Sequence, residues 1–189
     1  MTLDRVFDAS VLLNILGTGS PEQLLETLSF DAYRTDQALK EVVRDPRDGS
    51  DPKLLLDSFQ SRGLLLSVVL SGNALRSFVD LVTAPPPDGL GDGEAATLAF
   101  AEHRGAVAVI DERKATRIAG SRGIAVESTV DLLRRPEVEA AFATAERRQL
   151  LFGALRNARM RVPAEHFDWV HDTLGPELAR QCPSLRRRR

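Results

Sequence analysis

The sequence predicts an α/β protein, a three-layer α/β/α sandwich with a mostly parallel sheet, followed by a C-terminal helical extension. Short apolar runs alternate with segments of helical spacing throughout residues 1–133. Such alternation is typical of right-handed crossovers between parallel strands, with helices on both faces of the sheet. Residues 134–189 contain no strand-like run, so we expect one sandwich domain over 1–133 and a helical extension over 134–189.

Five apolar runs have the length of strands. They cover residues 3–7, 30–34, 64–70, 106–110 and 124–126. The run 64–70, rich in leucine and valine, favours a strand that is covered on both faces. Alanine, leucine and arginine predict a helix over 138–155 in the extension, and apolar spacing predicts another over 163–174.

Composition excludes several classes of protein. With 189 residues, of which 43% are hydrophobic, the chain can bury a substantial core. No apolar run approaches the roughly 20 residues that a membrane helix needs. The N-terminus lacks the basic and apolar regions of a signal peptide. The single cysteine, Cys182, excludes an internal disulfide framework and a cysteine-based zinc site, so we expect a cytoplasmic protein without membrane contact.

Charge is unevenly distributed along the chain, although the net charge is only −2. Residues 134–189 carry 12 arginines and 7 acidic residues, whereas the part before them carries 13 basic and 20 acidic residues. An acidic module repels nucleic acid unless cations sit among its carboxylates. The terminal run 186–189 is four arginines, which we interpret as a solvated end, with phosphate contact as the alternative.

Four acidic residues stand out by position. Asp8 follows the first predicted strand, Asp111 follows the run 106–110, and Glu94 opens a helix after a pair of glycines. Strand ends and the helix starts that follow them share one edge of a parallel sheet, so these three carboxylates are expected to converge there. Glu41 would have to reach in from its helix. Each also has a plainer interpretation, because aspartate caps helices and acids suit helix N-termini.

A carboxylate cluster indicates a particular chemistry. Like charges in one cleft repel each other, so the cluster needs protons or cations to neutralise it. Oxygen ligands without cysteine or histidine select hard cations such as Mg²⁺ or Mn²⁺. Such ions can activate a water and stabilise the leaving oxygen during displacement at phosphorus, so the pattern favours phosphodiester hydrolysis. Replacing Asp8 or Asp111 with asparagine should then abolish cleavage and raise the melting temperature of the metal-free chain.

Four stretches of the sequence resemble the PIN-domain family, in order and in spacing. They are 6–14 (VFDASVLLN), 39–42 (LKEV), 93–99 (GEAATLA) and 109–115 (VIDERKA). The resemblance covers about residues 3–133 and is nearest to the branch that includes VapC-type toxin nucleases. It implies an α/β/α sandwich with Mg²⁺- or Mn²⁺-dependent ribonuclease activity on single-stranded RNA. It also implies a possible small antitoxin partner, and we expect a homodimer.

The resemblance carries roles onto particular residues. Asp8, Glu41, Glu94 and Asp111 would be catalytic, with Asp8, Glu94 and Asp111 as metal ligands. Ser10 would support Asp8, and Asn14 would add a polar contact. Arg113 and Lys114 follow Asp111 and are candidates for holding substrate phosphate, with a solvated helix face as the equal alternative.

Some positions stay open at this stage. Asp92 is interpreted as a turn residue rather than an outer part of the site, and Glu112 is ambiguous. The extension could serve as a dimer surface, a partner surface or an RNA track. A non-catalytic PIN-like interaction module is the main alternative function. A phosphoacceptor of the receiver type ranks last, because no lysine follows the strand 124–126.

Overall fold

Five short strands form one parallel sheet in the computed structural model, which describes residues 3–185. The arginine run 186–189 lies outside the described residues. The strands, in chain order, are β1 (Arg5–Phe7), β2 (Ala32–Thr35), β3 (Leu66–Val68), β4 (Val107–Val109) and β5 (Val126–Glu127). Their spatial order is β3-β2-β1-β4-β5, and every neighbouring pair is parallel. The predicted α/β/α sandwich with a parallel sheet is therefore confirmed.

Helices separate the strands and continue beyond the last one. Those between the strands are α1 (Ala9–Gly17), α2 (Pro21–Thr27), α3 (Asp36–Glu41), α4 (Lys53–Ser61), α5 (Gly72–Thr83), α6 (Asp92–Arg104) and α7 (Arg113–Ser121). After β5 come α8 (Thr129–Leu133), α9 (Pro136–Ala141), α10 (Thr144–Asn157) and α11 (Phe167–Ala179). Short 3₁₀ helices cover Ala164–His166 and Pro183–Leu185. No helix within residues 3–185 has the length and apolar character needed to cross a membrane.

Alternation along the central strands divides the core into two layers. Phe7 and Val109 pack into one apolar cluster, while Val6 and Ala108 pack into the other. Side chains on successive strand residues point to opposite faces, which explains the division. The first layer also receives buried residues from α1 and from α8 to α11, so the helices after residue 133 share a core with the sandwich.

Two details differ from the sequence-based expectations. The run 64–70 was expected to be covered on both faces, but β3 is an edge strand, and Val69 beside it is 78% exposed. That prediction is wrong because an apolar run does not reveal whether its strand has one neighbour or two. The helix expected over 138–155 is two helices, α9 and α10, because Phe142 takes an extended backbone and buries its ring.

A glycine contact fixes α10 against α1. A side-chain carbon at Gly153 would lie 2.6 Å from the carbonyl oxygen of Gly17 and 2.7 Å from that of Thr18, closer than real contacts permit. Only glycine therefore permits this approach. Asn157 then donates a hydrogen bond of 2.9 Å to the Gly17 carbonyl. The end of α10 is thereby held beside α1, the helix that begins directly after β1.

Candidate active site

Asp8 lies directly after β1 and caps the N-terminus of α1. Its Oδ2 accepts hydrogen bonds from the Ser10 hydroxyl at 2.7 Å and from the Ser10 amide at 3.2 Å. Its Oδ1 is buried and has no hydrogen-bond partner among residues 3–185. Asp8 can therefore be both a helix cap and part of a ligand site, because one oxygen caps the helix and the other is available for a ligand.

Asp111 lies at the end of the neighbouring strand, two residues after β4. Its Oδ1 accepts from the Thr129 amide at 2.9 Å. Its Oδ2 accepts from the Thr129 hydroxyl at 2.5 Å and from the Asn14 side-chain amide at 2.7 Å. Asn14 also donates to the Thr129 hydroxyl at 3.1 Å, which closes a small buried network. These donors hold the Asp111 carboxylate in one orientation.

Two glutamates approach the same place from other helices. Glu94 lies in the first turn of α6, and its Oε2 accepts from the Gly91 amide at 3.3 Å. Glu41 is the last residue of α3, and its Oε1 accepts from the Gly93 amide at 2.8 Å. A side-chain carbon at Gly93 would lie 2.7 Å from Glu41 Oε1. The absent side chain at Gly93 therefore lets Glu41 reach the start of α6.

All four acids line one cleft of about 560 Å³ at the carboxyl edge of the sheet. β1 lies between β2 and β4 in the sheet. The chain first adds β2 and β3 on one side of β1, and then adds β4 and β5 on the other side. Ligands of open α/β sheets bind at such a point. The same cleft is lined by Glu112 and by the segment 158–161, which contributes Arg159 and Arg161.

Burial and mutual repulsion disfavour the charged forms of these carboxyl groups. Burial is the main cause that raises the pKa of Asp111 to about 6, and the nearby Asp8 adds to it. Burial likewise raises the pKa of Asp8, with a contribution from Glu112. The pKa of Glu94 is raised first by burial and then by Asp8. The cleft therefore gathers negative charge that the protein leaves largely uncompensated.

The structure brings together most of the residues that the sequence singles out. Those that line the cleft are Asp8, Ser10, Asn14, Glu41, Glu94 and Asp111. Arg113 and Lys114 do not line it. Arg113 faces a neighbouring groove, and the Lys114 ammonium donates to the Gly89 carbonyl at 2.5 Å. Asp92 is exposed and also lies outside the cleft lining.

Sequence reasoning missed Thr129, and it left the extension that carries Arg159 and Arg161 open as a dimer surface, a partner surface or an RNA track. The sequence alone assigns Thr129 no part in the site. Thr129 begins the helix after β5, and only β4 lies between β5 and β1 in the sheet. That position is the signal that could have assigned Thr129 to this edge of the sheet. The sequence does not place Arg159 and Arg161 at the cleft, because no sequence pattern indicates that α10 ends beside α1.

The donor set fits a hard divalent cation. Within residues 3–185, no three histidine, cysteine or acidic side chains stand in a ready-made ligand geometry. Several of the carboxylate oxygens accept hydrogen bonds from protein donors. The observation in favour of a cation is Asp8 Oδ1, a buried carboxylate oxygen without a partner. Buried polar atoms are rarely left without a hydrogen-bond partner, and a catalytic role or an ion that binds at the atom is a recognised reason. The ligands offered are all oxygen atoms, which suits Mg²⁺ or Mn²⁺.

Comparison with known proteins gives one match. The DUF3368 family model, described as a PIN domain, matches residues 4–175 and so extends well into the helices that follow β5. No curated protein and no solved structure matches the chain.

Proposed function

The chain belongs to the PIN-domain family, whose members are generally nucleases, and from this premise we propose that it is an endoribonuclease. The proposed reaction is Mg²⁺- or Mn²⁺-dependent cleavage of phosphodiester bonds in single-stranded RNA. Support comes from the acids of four distant segments that line one cleft. The single observation that carries the proposal is Asp8 Oδ1, an acceptor that is buried at the cleft without a donor.

Each side chain has a defined part in this proposal. Asp8, Glu94 and Asp111 would hold the cation, which supplies Lewis acidity to the attacking water and to the leaving oxygen. Ser10 keeps Asp8 Oδ2 engaged, which leaves Oδ1 as the oxygen free for the cation. Asn14 and Thr129 orient Asp111. Such supporting hydrogen bonds commonly fix the ligands of catalytic metals.

Glu41 has a different part from the other acids. It enters from α3 and is oriented by the Gly93 amide through Oε1. Within residues 3–185 its Oε2 accepts no hydrogen bond, which leaves an acceptor for a water molecule or for the cation. We propose that Glu41 positions the attacking water, with direct metal ligation as the alternative.

Cleavage of defined RNAs by the purified full chain tests the proposal. We expect single-stranded RNA to be cut in Mg²⁺ or Mn²⁺, double-stranded RNA to resist, and a chelator to stop the reaction. Asp8→Asn should abolish cleavage, whereas Asp92→Asn, at an exposed acid outside the cleft lining, should retain it. Equal cleavage by the native chain and Asp8→Asn would indicate a contaminating nuclease and contradict the proposal.

A non-catalytic interaction module is the second candidate function. The observation that favours it is the lack of a ready-made ligand trio among the described residues. Such a module would bind no Mn²⁺ at these acids, so Asp8→Asn would leave its Mn²⁺ binding unchanged. The four acids at one cleft weigh against it, since uncompensated buried carboxylates cost stability and bring a module no benefit.

A role as the toxin of a toxin–antitoxin pair is a further proposal, suggested by the resemblance to VapC-type nucleases. A small partner protein would restrain the nuclease by covering the acidic cleft. The test is growth of cells that express the chain, with and without the protein encoded by the adjacent reading frame. Growth arrest that the neighbour relieves would support the toxin role, and normal growth in both cases would contradict it.

A further inference from the structure

The acidic cleft presents a problem for any RNA substrate. Its charged lining consists of five carboxylates, from Asp8, Glu41, Glu94, Asp111 and Glu112, and two guanidinium groups. Cations bound among the acids would offset part of this charge at the reaction centre. They would not hold the flanking phosphates of the strand, which need donors of their own.

Both guanidinium groups come from one short segment, residues 158–161, which follows α10. Arg159 and Arg161 are exposed, and they are the cations that line this cleft within residues 3–185. The segment is held there by the close contact of Gly153 with Gly17 and by the hydrogen bond from Asn157 to the Gly17 carbonyl. Positive charge is thus fixed beside the acids by packing.

Arg159 is unusual in its backbone and in its contacts. It has φ of 56°, whereas the other described residues with positive φ are glycines, such as Gly105 and Gly123 at the ends of α6 and α7. A side chain in this left-handed conformation is disfavoured, and glycine is the usual residue at such a helix end. Among residues 3–185, the Arg159 side chain makes no hydrogen bond, ion pair or ring contact. An arginine here costs stability without an internal contact to offset it.

Arg161 connects the cleft with a second groove. Its guanidinium pairs with Glu112 Oε2 at 2.5 Å, and 49% of the Arg161 side chain and 38% of the Glu112 side chain are exposed, so the pair is weak and can exchange for another anion. Arg161 and Asp111 also line an adjacent groove of about 600 Å³, to which Arg113 and Arg117 contribute. A strand that leaves the acidic cleft past Arg161 therefore meets further cations, together with the acidic residues Glu127, Asp131 and Glu165 of the same groove.

We infer that Arg159 and Arg161 bind the phosphodiester backbone of single-stranded RNA beside the acidic cleft. This inference rests on the proposed ribonuclease function and names the residues that hold its substrate. Guanidinium groups suit phosphate, since they offer parallel N–H donors to two oxygens. Glu112 is the internal competitor that phosphate displaces from Arg161. Contacts of this kind add affinity without sequence preference.

Binding measurements on an uncleaving chain test the inference separately from catalysis. The parent is the full chain with Asp8→Asn, and the probe is a fluorescein-labelled, unstructured single-stranded RNA in buffer with Mg²⁺. Arg159→Gly and Arg161→Ala should each weaken binding about tenfold, the loss expected for one charge-assisted hydrogen bond. Each should also make the slope of log K against log salt less negative by about 0.7. Several RNA sequences should be affected equally.

Matched variants distinguish a lost phosphate contact from a disturbed fold as the cause of weaker RNA binding. Arg159→Gly places the preferred residue in a left-handed position, so it should melt no lower than the parent while binding less RNA. Glu112→Gln should strengthen binding, because it frees Arg161 and removes a negative charge from the cleft. Arg180→Ala removes an exposed arginine directly after α11, outside the cleft lining, and should bind like the parent.

The outcomes distinguish the two proposals. Unchanged RNA binding by Arg159→Gly and Arg161→Ala overturns the inference, as does an equal loss with Arg180→Ala or a parent that binds no RNA. Binding of an acidic peptide instead of RNA at these arginines would make the segment a protein-binding surface and also overturn it. If both variants lose RNA binding but the native chain cleaves no RNA, the inference holds and the proposed reaction fails.

Discussion

Asp8 and Asp111 follow two neighbouring strands that are hydrogen-bonded to each other. The Asp8 amide donates at 3.1 Å to the carbonyl of Val109, which lies two residues before Asp111. Both carboxylates are almost fully buried, with 4% and 7% of their surface exposed. Their surroundings nevertheless differ. Asp111 receives three hydrogen bonds on its two oxygens, whereas Asp8 receives both of its bonds on Oδ2.

This difference predicts opposite effects for one substitution at the two sites. In Asp8→Asn, the new amide group can take the place of the unpartnered Oδ1. Asparagine is also a good helix cap, so the cap is kept. The main effect on stability should therefore be relief of the repulsion between the carboxylates. We expect the metal-free melting temperature to rise by about 2–4 °C, which corresponds to about 1 kcal/mol for a chain of this size. Thermal unfolding in the presence of a chelator measures it.

In Asp111→Asn, an amide group would face donors from Thr129 and Asn14, so at least one hydrogen bond is lost. The free energy of unfolding should fall by about 1–3 kcal/mol. The sequence alone predicts stabilisation at both sites, and only the hydrogen bonds distinguish them. Stabilisation by Asp111→Asn as large as that by Asp8→Asn would contradict the buried network of Asn14, Thr129 and Asp111.

The raised pKa of Asp111 predicts a pH dependence of stability. Its folded pKa of about 6 lies above the ordinary value of 3.8, so the folded state holds the proton more tightly than the unfolded state. Its contribution to stability is therefore fully present below about pH 4 and is lost as pH rises through 6. At 1.36 kcal/mol per pKa unit, the loss reaches at most about 3 kcal/mol.

Denaturant unfolding of the metal-free chain between pH 4 and 7 checks this prediction. Acids with lowered pKa values, such as Asp45 beside Arg47, have the opposite slope, so the native chain must be compared with Asp111→Asn. The difference in unfolding free energy between the two should narrow as pH rises. Parallel pH profiles would show that Asp111 ionises normally.

Gly93→Ala tests whether the position of Glu41 matters for cleavage. The added methyl group would lie 2.7 Å from Glu41 Oε1, so the carboxylate must move away, and its flexible side chain allows this at little cost in stability. We expect cleavage to fall at least tenfold with a nearly unchanged melting temperature. Gly91→Ala is the matched control, since its nearest neighbour would be Glu94 Oε2 at 3.9 Å. Equal activity of both variants would exclude a role for Glu41.

Gly153→Ala tests the packing that holds the segment 158–161 at the cleft. A methyl group there would meet backbone carbonyls of Gly17 and Thr18, which cannot rotate away. We expect a loss of about 1–3 kcal/mol in unfolding free energy, as for other overpacked sites. Gly120→Ala in α7 has open space and should instead stabilise the chain. If Gly153→Ala melts like the native chain, α10 is not packed as described.

The sequence was sufficient to predict the layered fold and the acids at its rim. Alternating strands and helices imply a parallel sheet, and a parallel sheet gathers its strand ends, so Asp8 and Asp111 needed no structural information to be placed together. The short, apolar runs did not reveal which strand lies at an edge, as β3 shows. Neither did they reveal Thr129 as a donor to Asp111.

The extension could not be placed from its sequence. Its position depends on the contact of Gly153 with Gly17, two small residues more than a hundred positions apart in the chain. Hydrophobic periodicity indicates that α10 is a helix but not which helix it packs against. The arginines that line the cleft therefore appeared unrelated to the acids until the packing was known.

Mn²⁺ binding measured by isothermal titration calorimetry tests the central claim most directly, because the proposed chemistry requires the acids to hold a cation. The native chain and Asp92→Asn should bind Mn²⁺ with the same affinity, and Asp8→Asn and Glu94→Gln should bind at least tenfold more weakly. Binding should also weaken below pH 6, where Asp111 gains a proton. An absence of Mn²⁺ binding by the native chain, or equal binding by Asp8→Asn, would contradict the account.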